Sequence, residues 1–188
     1  SSYKGKFSII NPNFNDSYKP LFVSFLATED DNYKTFGYKT NKTGISIGTD
    51  FEYLNDFYIG LSNSNFYEVI DTNSTASTQQ QAQEGNYWDS FIKINMNYDK
   101  RNQKFQTSDG FKSLYSLDLP LLSETNTIKN YYNYSHYFDF FEKNFSSISI
   151  YLQSANSLND KNIKLSERIT IPSNRLRGFE AGRVGPKD

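Results

Sequence analysis

The chain has 188 residues and a formal net charge of −1, so it carries no electrostatic footprint for nucleic acid. It contains no cysteine, which excludes disulfides and cysteine-ligated metal, and no run of about 18 apolar residues, which excludes a transmembrane helix. Mean hydropathy is −0.71, yet 15 Tyr and 16 Phe help to bring aromatics to 17% of the chain. A soluble core would rest on Leu, Val, Ile and Ala instead, whereas rings with one dry and one wet end suit a membrane interface.

The dominant period is two, which puts alternate side chains on opposite faces of a sheet. Eight strands are expected, near 4–10, 20–29, 35–53, 57–71, 87–99, 110–121, 127–140 and 145–157. Asn11-Pro12-Asn13-Phe14 makes a turn after the first, and Asp30 and Asp31 are expected at a loop tip after the second. In the third, Ile45, Ile47, Thr49, Phe51 and Tyr53 oppose Ser46, Gly48, Asp50 and Glu52. Leu54-Asn55-Asp56 is a tight turn. The fourth sets Phe57, Ile59 and Leu61 against Tyr58, Gly60 and Ser62. Residues 72–85 are polar and of low complexity, and are expected to be mobile. The fifth opens at Trp88 and sets Ile92, Ile94, Met96 and Tyr98 against Lys93, Asn95, Asn97 and Asp99. In the sixth, Phe111, Tyr115, Leu117, Leu119 and Leu121 oppose Lys112, Ser116 and Asp118. Tyr132, Tyr134, Phe138 and Phe140 oppose Lys129, Asn133 and Asp139 in the seventh. Ile148, Ile150 and Leu152 oppose Ser149, Tyr151 and Gln153 in the eighth. Charges thus keep to one face, and no helix signal stands out.

This pattern predicts an all-β, antiparallel up-and-down meander. Several strands exceed the usual soluble length of about five or six residues and reach the ~10 residues that cross a bilayer at a tilt. Low hydropathy is no objection, because a barrel strand is apolar on one face only. Tight turns at 54–56 and 142–144 against long segments at 72–86 and 158–188 predict short turns at one end and long loops at the other. A soluble β-sandwich or an adhesive β-domain would also alternate. Strand length and the aromatic excess favour the transmembrane barrel. An outer-membrane barrel needs a signal peptide and none precedes Ser1, so the chain reads as a mature form or an internal piece.

Chemistry-bearing clusters are scarce. His136 is the only histidine; among Tyr134, Phe138 and Phe140 it reads as an interface residue, as does Trp88. Asp99, Lys100 and Arg101 form a charged turn, most simply a solvated one. Asp30 and Asp31 lack calcium-loop spacing, and no phosphate loop or dinucleotide fingerprint occurs. Neither enzyme activity nor a cofactor or metal is expected.

The tail from 171, IPSNRLRGFEAGRVGPKD, holds four positive residues and almost no period. Leu176-Arg177-Gly178-Phe179 resembles the hydrophobic-Arg-Gly-aromatic motif of the BamA family of outer-membrane protein-assembly factors. Val184-Gly185-Pro186-Lys187-Asp188 is similar to the glycine-proline-basic segment that follows it there. Upstream, Asn11-Pro12-Asn13-Phe14 resembles the family's Asn/Asp-Pro-x-Phe turn. Tyr98-Asp99, Arg101-Asn102, Phe105, Thr107 and Gly110 resemble its Tyr-Asp-x-Arg-Asp…Phe-Pro-Thr-x-Gly turn, with Gln106 standing where proline is usual and Asp109 lengthening the turn.

The resemblance implies that 1–157 are the fourth to eleventh strands of a sixteen-stranded barrel, and that 158–188 begin its sixth extracellular loop. It implies an outer-membrane factor that folds and inserts β-barrel proteins, with unfolded clients, accessory lipoproteins and the lipid bilayer as partners. The rival readings are a passive diffusion barrel, a two-partner-secretion relative and a soluble adhesion domain. In the family the loop enters the lumen, and its Arg packs against acidic and aromatic groups of late strands. Arg177 would take that role, its guanidinium forking onto a carboxylate. Gly178 would permit close approach, and Phe179 would fill the adjacent space. Those partners lie beyond Asp188, so 158–188 are expected to be poorly held in this chain.

Overall fold

The computed structural model describes residues 2–124, 126–141, 144–159 and 161–169. Eight strands form one antiparallel sheet in sequence order: β1 (Ser2–Asn11), β2 (Leu21–Asn32), β3 (Tyr38–Leu54), β4 (Phe57–Thr72), β5 (Gly85–Asp99), β6 (Gly110–Leu122), β7 (Thr127–Phe141) and β8 (Asn144–Ser157). Asp30 and Asp31, expected at a loop tip, instead close the β2 ladder opposite Thr40 and Lys39. The sheet ladder extends further than the hydrophobic pattern, because backbone pairing does not require apolar side chains.

A meander places every other connection at the same end. One end carries 12–20, 55–56, 100–109 and 142–143; the other carries 33–37, 73–84 and 123–126, and the chain leaves there after β8. The expected contrast in length is therefore incomplete, since the end with the tight hairpins also carries two connections of intermediate length.

Register sorts the side chains into two faces. On the first lie Phe7 and Phe25, Ile45 and Ile47, Leu61, Ile92, Ile94, Met96, Leu117, Tyr132, Ile148 and Ile150. Many remain exposed, among them Ile47, Met96 and Ile148. The second face is hydrophilic and bonded across strands: Ser8 with Ser24 at 2.8 Å, Ser46 with Ser64 at 2.7 Å, Ser116 with Asn95 at 2.7 Å and Ser135 with Ser149 at 2.8 Å. Segment 161–169 lies over part of this second face, which we call the covered face. Among the described residues only Ile70, Ala76 and Phe91 are buried apolar side chains. A β-sandwich would hold its large apolar residues between two sheets; here they line the uncovered, outer face of a single sheet.

Aromatic rings mark both borders of that outer face. At the end with the tight hairpins a row crosses four strands: Phe57 to Tyr98 at 6.0 Å, Tyr98 to Phe111 at 5.3 Å, Phe111 to Tyr134 at 6.0 Å and Tyr134 to His136 at 6.4 Å. At the other end Tyr67 meets Trp88 at 5.1 Å. Trp88 and Tyr98 are ten positions apart on β5. At ~3.3 Å per residue and a tilt near 40° they span about 25 Å along the membrane normal, the height of a barrel's apolar band. Among the described residues no Asp, Glu, Lys or Arg stands on the outer face between the two borders. The first charges there, such as the Lys39–Glu29 pair at 3.1 Å, lie beyond Tyr67 and Trp88.

Candidate functional site: a charged clamp on the covered face

The residues over the covered face are gripped from several strands. Lys164, fully buried, puts its ammonium between two carboxylates, hydrogen-bonding Asp89 and lying 3.5 Å from Glu68. Asp89 comes from β5 and Glu68 from β4. Neither Glu68 oxygen accepts a hydrogen bond among the described residues, so its compensation is this cation. A short helical turn, Leu165–Glu167, carries the buried Glu167 within 3.9 Å of Lys129 on β7. Phe91 packs at the centre, with Lys42 of β3 5.9 Å and Lys129 5.2 Å from its ring. Three acids, Glu68, Asp89 and Glu167, thus meet three lysines, Lys42, Lys129 and Lys164. Buried charge is tolerated only in such paired sets.

Polar bonds complete the grip. Gln83, in the β4–β5 connection, donates to the Ile163 carbonyl at 3.4 Å and accepts from the Leu165 amide at 2.9 Å. Tyr87 hydroxyl fixes the Gln83 carbonyl at 2.8 Å, and Lys164 Nζ lies 4.7 Å from its ring. Within the connection a capping box, Ser77 with Gln80, starts helix α1 (Thr78–Gln81). Residues 72–85, expected to be mobile, therefore contribute a defined bracket, and 161–169, expected to be poorly held, are pinned. Beside the pin lies an open cavity of about 550 Å³, lined by charged residues such as Lys93, Asp118, Lys129 and Glu167 and also by Leu114 and Ile169.

The two turn motifs sit at the opposite end. Asn11 Oδ1 accepts from the Asn13 amide at 3.1 Å, and Phe14 amide donates to the Lys19 carbonyl at 3.1 Å. Pro12 lies between them, and Lys19 lays its ammonium 4.4 Å from the Phe51 ring. In the second turn Arg101 forks onto Asp99 with two bonds of 2.7 Å. The expected solvated turn is thus a closed one. Lys100 reaches Asp56 of the neighbouring hairpin at 2.8 Å, and that carboxylate holds its ammonium above the ordinary lysine range. Gly110 has φ +101, and a Cβ there would overlap the Lys100 carbonyl. Gln106, at φ 53, takes a conformation closed to the proline usual at that place. Leu176, Arg177, Gly178, Phe179, Gly185 and Pro186 lie outside the described residues. Sequence reading missed the clamp; its one signal was charge at alternation positions inside strands, at Lys42, Glu68 and Asp89.

A single antiparallel meander, apolar outward between two aromatic borders and hydrophilic on its other face, defines a segment of a transmembrane β-barrel wall. The family model of the Omp85 superfamily domain matches residues 1–188, and the chain belongs to that superfamily, whose BamA-like members are bacterial outer-membrane β-barrels. The fold is similar to the crystal structure of BamA from Haemophilus ducreyi lacking POTRA domains 1–3. That match has a TM-score of 0.86 and 18% sequence identity, covering 98% of this chain and 39% of that one. The chain thus spans well under half the length of that protein. No curated protein matches the sequence.

Proposed function

We propose that the chain is the central part of the barrel of an outer-membrane assembly factor, which folds and inserts unfolded β-barrel proteins with the help of accessory lipoproteins. The observation that carries this reading is the clamp: Lys164 pins the root of the loop that goes on to Leu176-Arg177-Gly178-Phe179 onto the covered face. A passive diffusion barrel would carry a constriction loop in place of this Arg-Gly-Phe segment. In this reading the covered face lines the lumen, the clamp fixes where the loop departs, and Arg177 pairs with acidic groups outside this chain.

The test is reconstitution of the full-length protein in lipid vesicles with an unfolded barrel client, read as the client's folded fraction on unheated gels. Accelerated client folding is expected, with Arg177→Ala losing most of it and Arg177→Lys recovering part, since a point charge cannot make two parallel hydrogen bonds. Solute flux without accelerated folding would instead favour the diffusion barrel.

A further inference from the structure

Asparagine residues interrupt the apolar outer face in two places: Asn130, which accepts from the Tyr115 hydroxyl at 2.7 Å and donates to Ser154 at 3.3 Å, and a second set on β4 and β5. Asn63 and Asn65 of β4 and Ser90 of β5 point outward inside the aromatic borders. Polar groups against hydrocarbon are costly and mark functional positions. Most of their valences close on each other. Asn63 Nδ2 donates to Ser90 Oγ and to the Phe91 carbonyl, both at 3.3 Å, and Asn65 Nδ2 donates to Asn63 Oδ1 at 2.7 Å. Asn65 keeps one amide hydrogen and its carbonyl oxygen without a partner among the described residues. It borders a groove of about 430 Å³ lined by Phe25, Thr43, Ile45, Asn65, Tyr67 and Trp88.

Position and chemistry select the occupant. Asn65 stands opposite Ser90, one rung inside the Tyr67–Trp88 pair, so two residues of strand put it ~5 Å deeper along the membrane normal. That is the depth at which acyl chains join lipid headgroups. A free N–H beside a free C=O complements a secondary amide, which offers both partners; an ester offers only an acceptor. Phe25 and Ile45 provide an apolar wall for a chain, and Trp88, 71% exposed, presents a ring at headgroup level. We propose that this groove seats one glycolipid with an amide-linked acyl chain, the linkage bonded to Asn65 and the sugar against Trp88.

The inference rests on the outer face meeting lipid. Full-length protein in mild detergent would be mixed with lipid A, which is amide-acylated, or with phosphatidylethanolamine, which is ester-linked, and retained adducts read by native mass spectrometry. Lipid A is expected to be retained at least tenfold over phosphatidylethanolamine. Asn65→Leu should remove that preference while the barrel still shifts on unheated gels, and Asn65→Gln should keep part of it. Equal retention of the two lipids, an unchanged adduct in Asn65→Leu, or a protein-sized adduct lost on that substitution would overturn the proposal. In vesicles, Ile45→Cys reacting with a water-soluble maleimide as fast as Phe105→Cys would instead overturn the lipid-facing assignment beneath it.

Discussion

At position 164 a lysine ammonium is shut away from water between two carboxylates, and this arrangement fixes what its removal should do. The stability lies in the pairing, because stripping one partner leaves the others charged and dry. Lys164→Met should destabilise the full-length barrel by about 3–5 kcal/mol. Neutralising the set, with Lys164→Met, Glu68→Gln and Asp89→Asn together, should recover most of the loss. Urea unfolding in detergent, followed by heat-modifiability, measures both. A single variant as stable as wild type would mean that water reaches the cluster. Gly110 is the other exacting position: Gly110→Ala meets both the positive φ and the Lys100 carbonyl, and should cost about 1–3 kcal/mol in the same titration. The two positions differ in legibility. Gly110 stood in a turn motif readable from sequence, whereas Lys164 was a lysine in an irregular stretch, 75 residues from Asp89. No local pattern encodes a pairing of that range.

Individual strands were far easier to read. Alternation placed Ile45, Ile47, Ile92, Ile94, Met96, Ile148 and Ile150 each on the apolar face of its strand, and the register gathers them on one face of the sheet. Strand ends drifted because the ladder continues through charged residues such as Asp30 and Asp31. Pro120 shows a limit of a different kind. It lacks an N–H, and the β6–β7 pairing stops two residues before it, at Asp118 opposite Lys129. The sharpest energetic test of an element uses neighbours on β5. Ile94 lies near the middle of the outer band, whereas Asn95 on the covered face accepts the Ser116 hydroxyl. Ile94→Arg should cost about 2–4 kcal/mol on folding into lipid vesicles, and Asn95→Arg far less. A larger cost at Asn95 would mean that the faces are reversed, and equal costs that the two faces do not differ in their contact with lipid.

Across the whole molecule, the meander, its two faces and the aromatic borders followed from a period of two and an excess of Tyr and Phe. The covering of one face did not, because it depends on segment 161–169 folding back over strands far away in sequence. Together these features describe a wall with lipid on one side and a polar interior on the other, its interior partly occupied by the root of the chain's own loop. The measurement that tests this most directly is a spin-label scan of the full-length protein in vesicles. These 188 residues contain no cysteine, so any cysteine elsewhere in the full-length protein would first be replaced by serine. Labels placed one at a time at positions 92 to 97 would be probed with oxygen, which partitions into lipid, and with a water-soluble nickel chelate. Positions 92, 94 and 96 should favour oxygen, and 93, 95 and 97 should not, giving a strict period of two. Equal nickel accessibility at all six positions, or a loss of the alternation, would contradict the account.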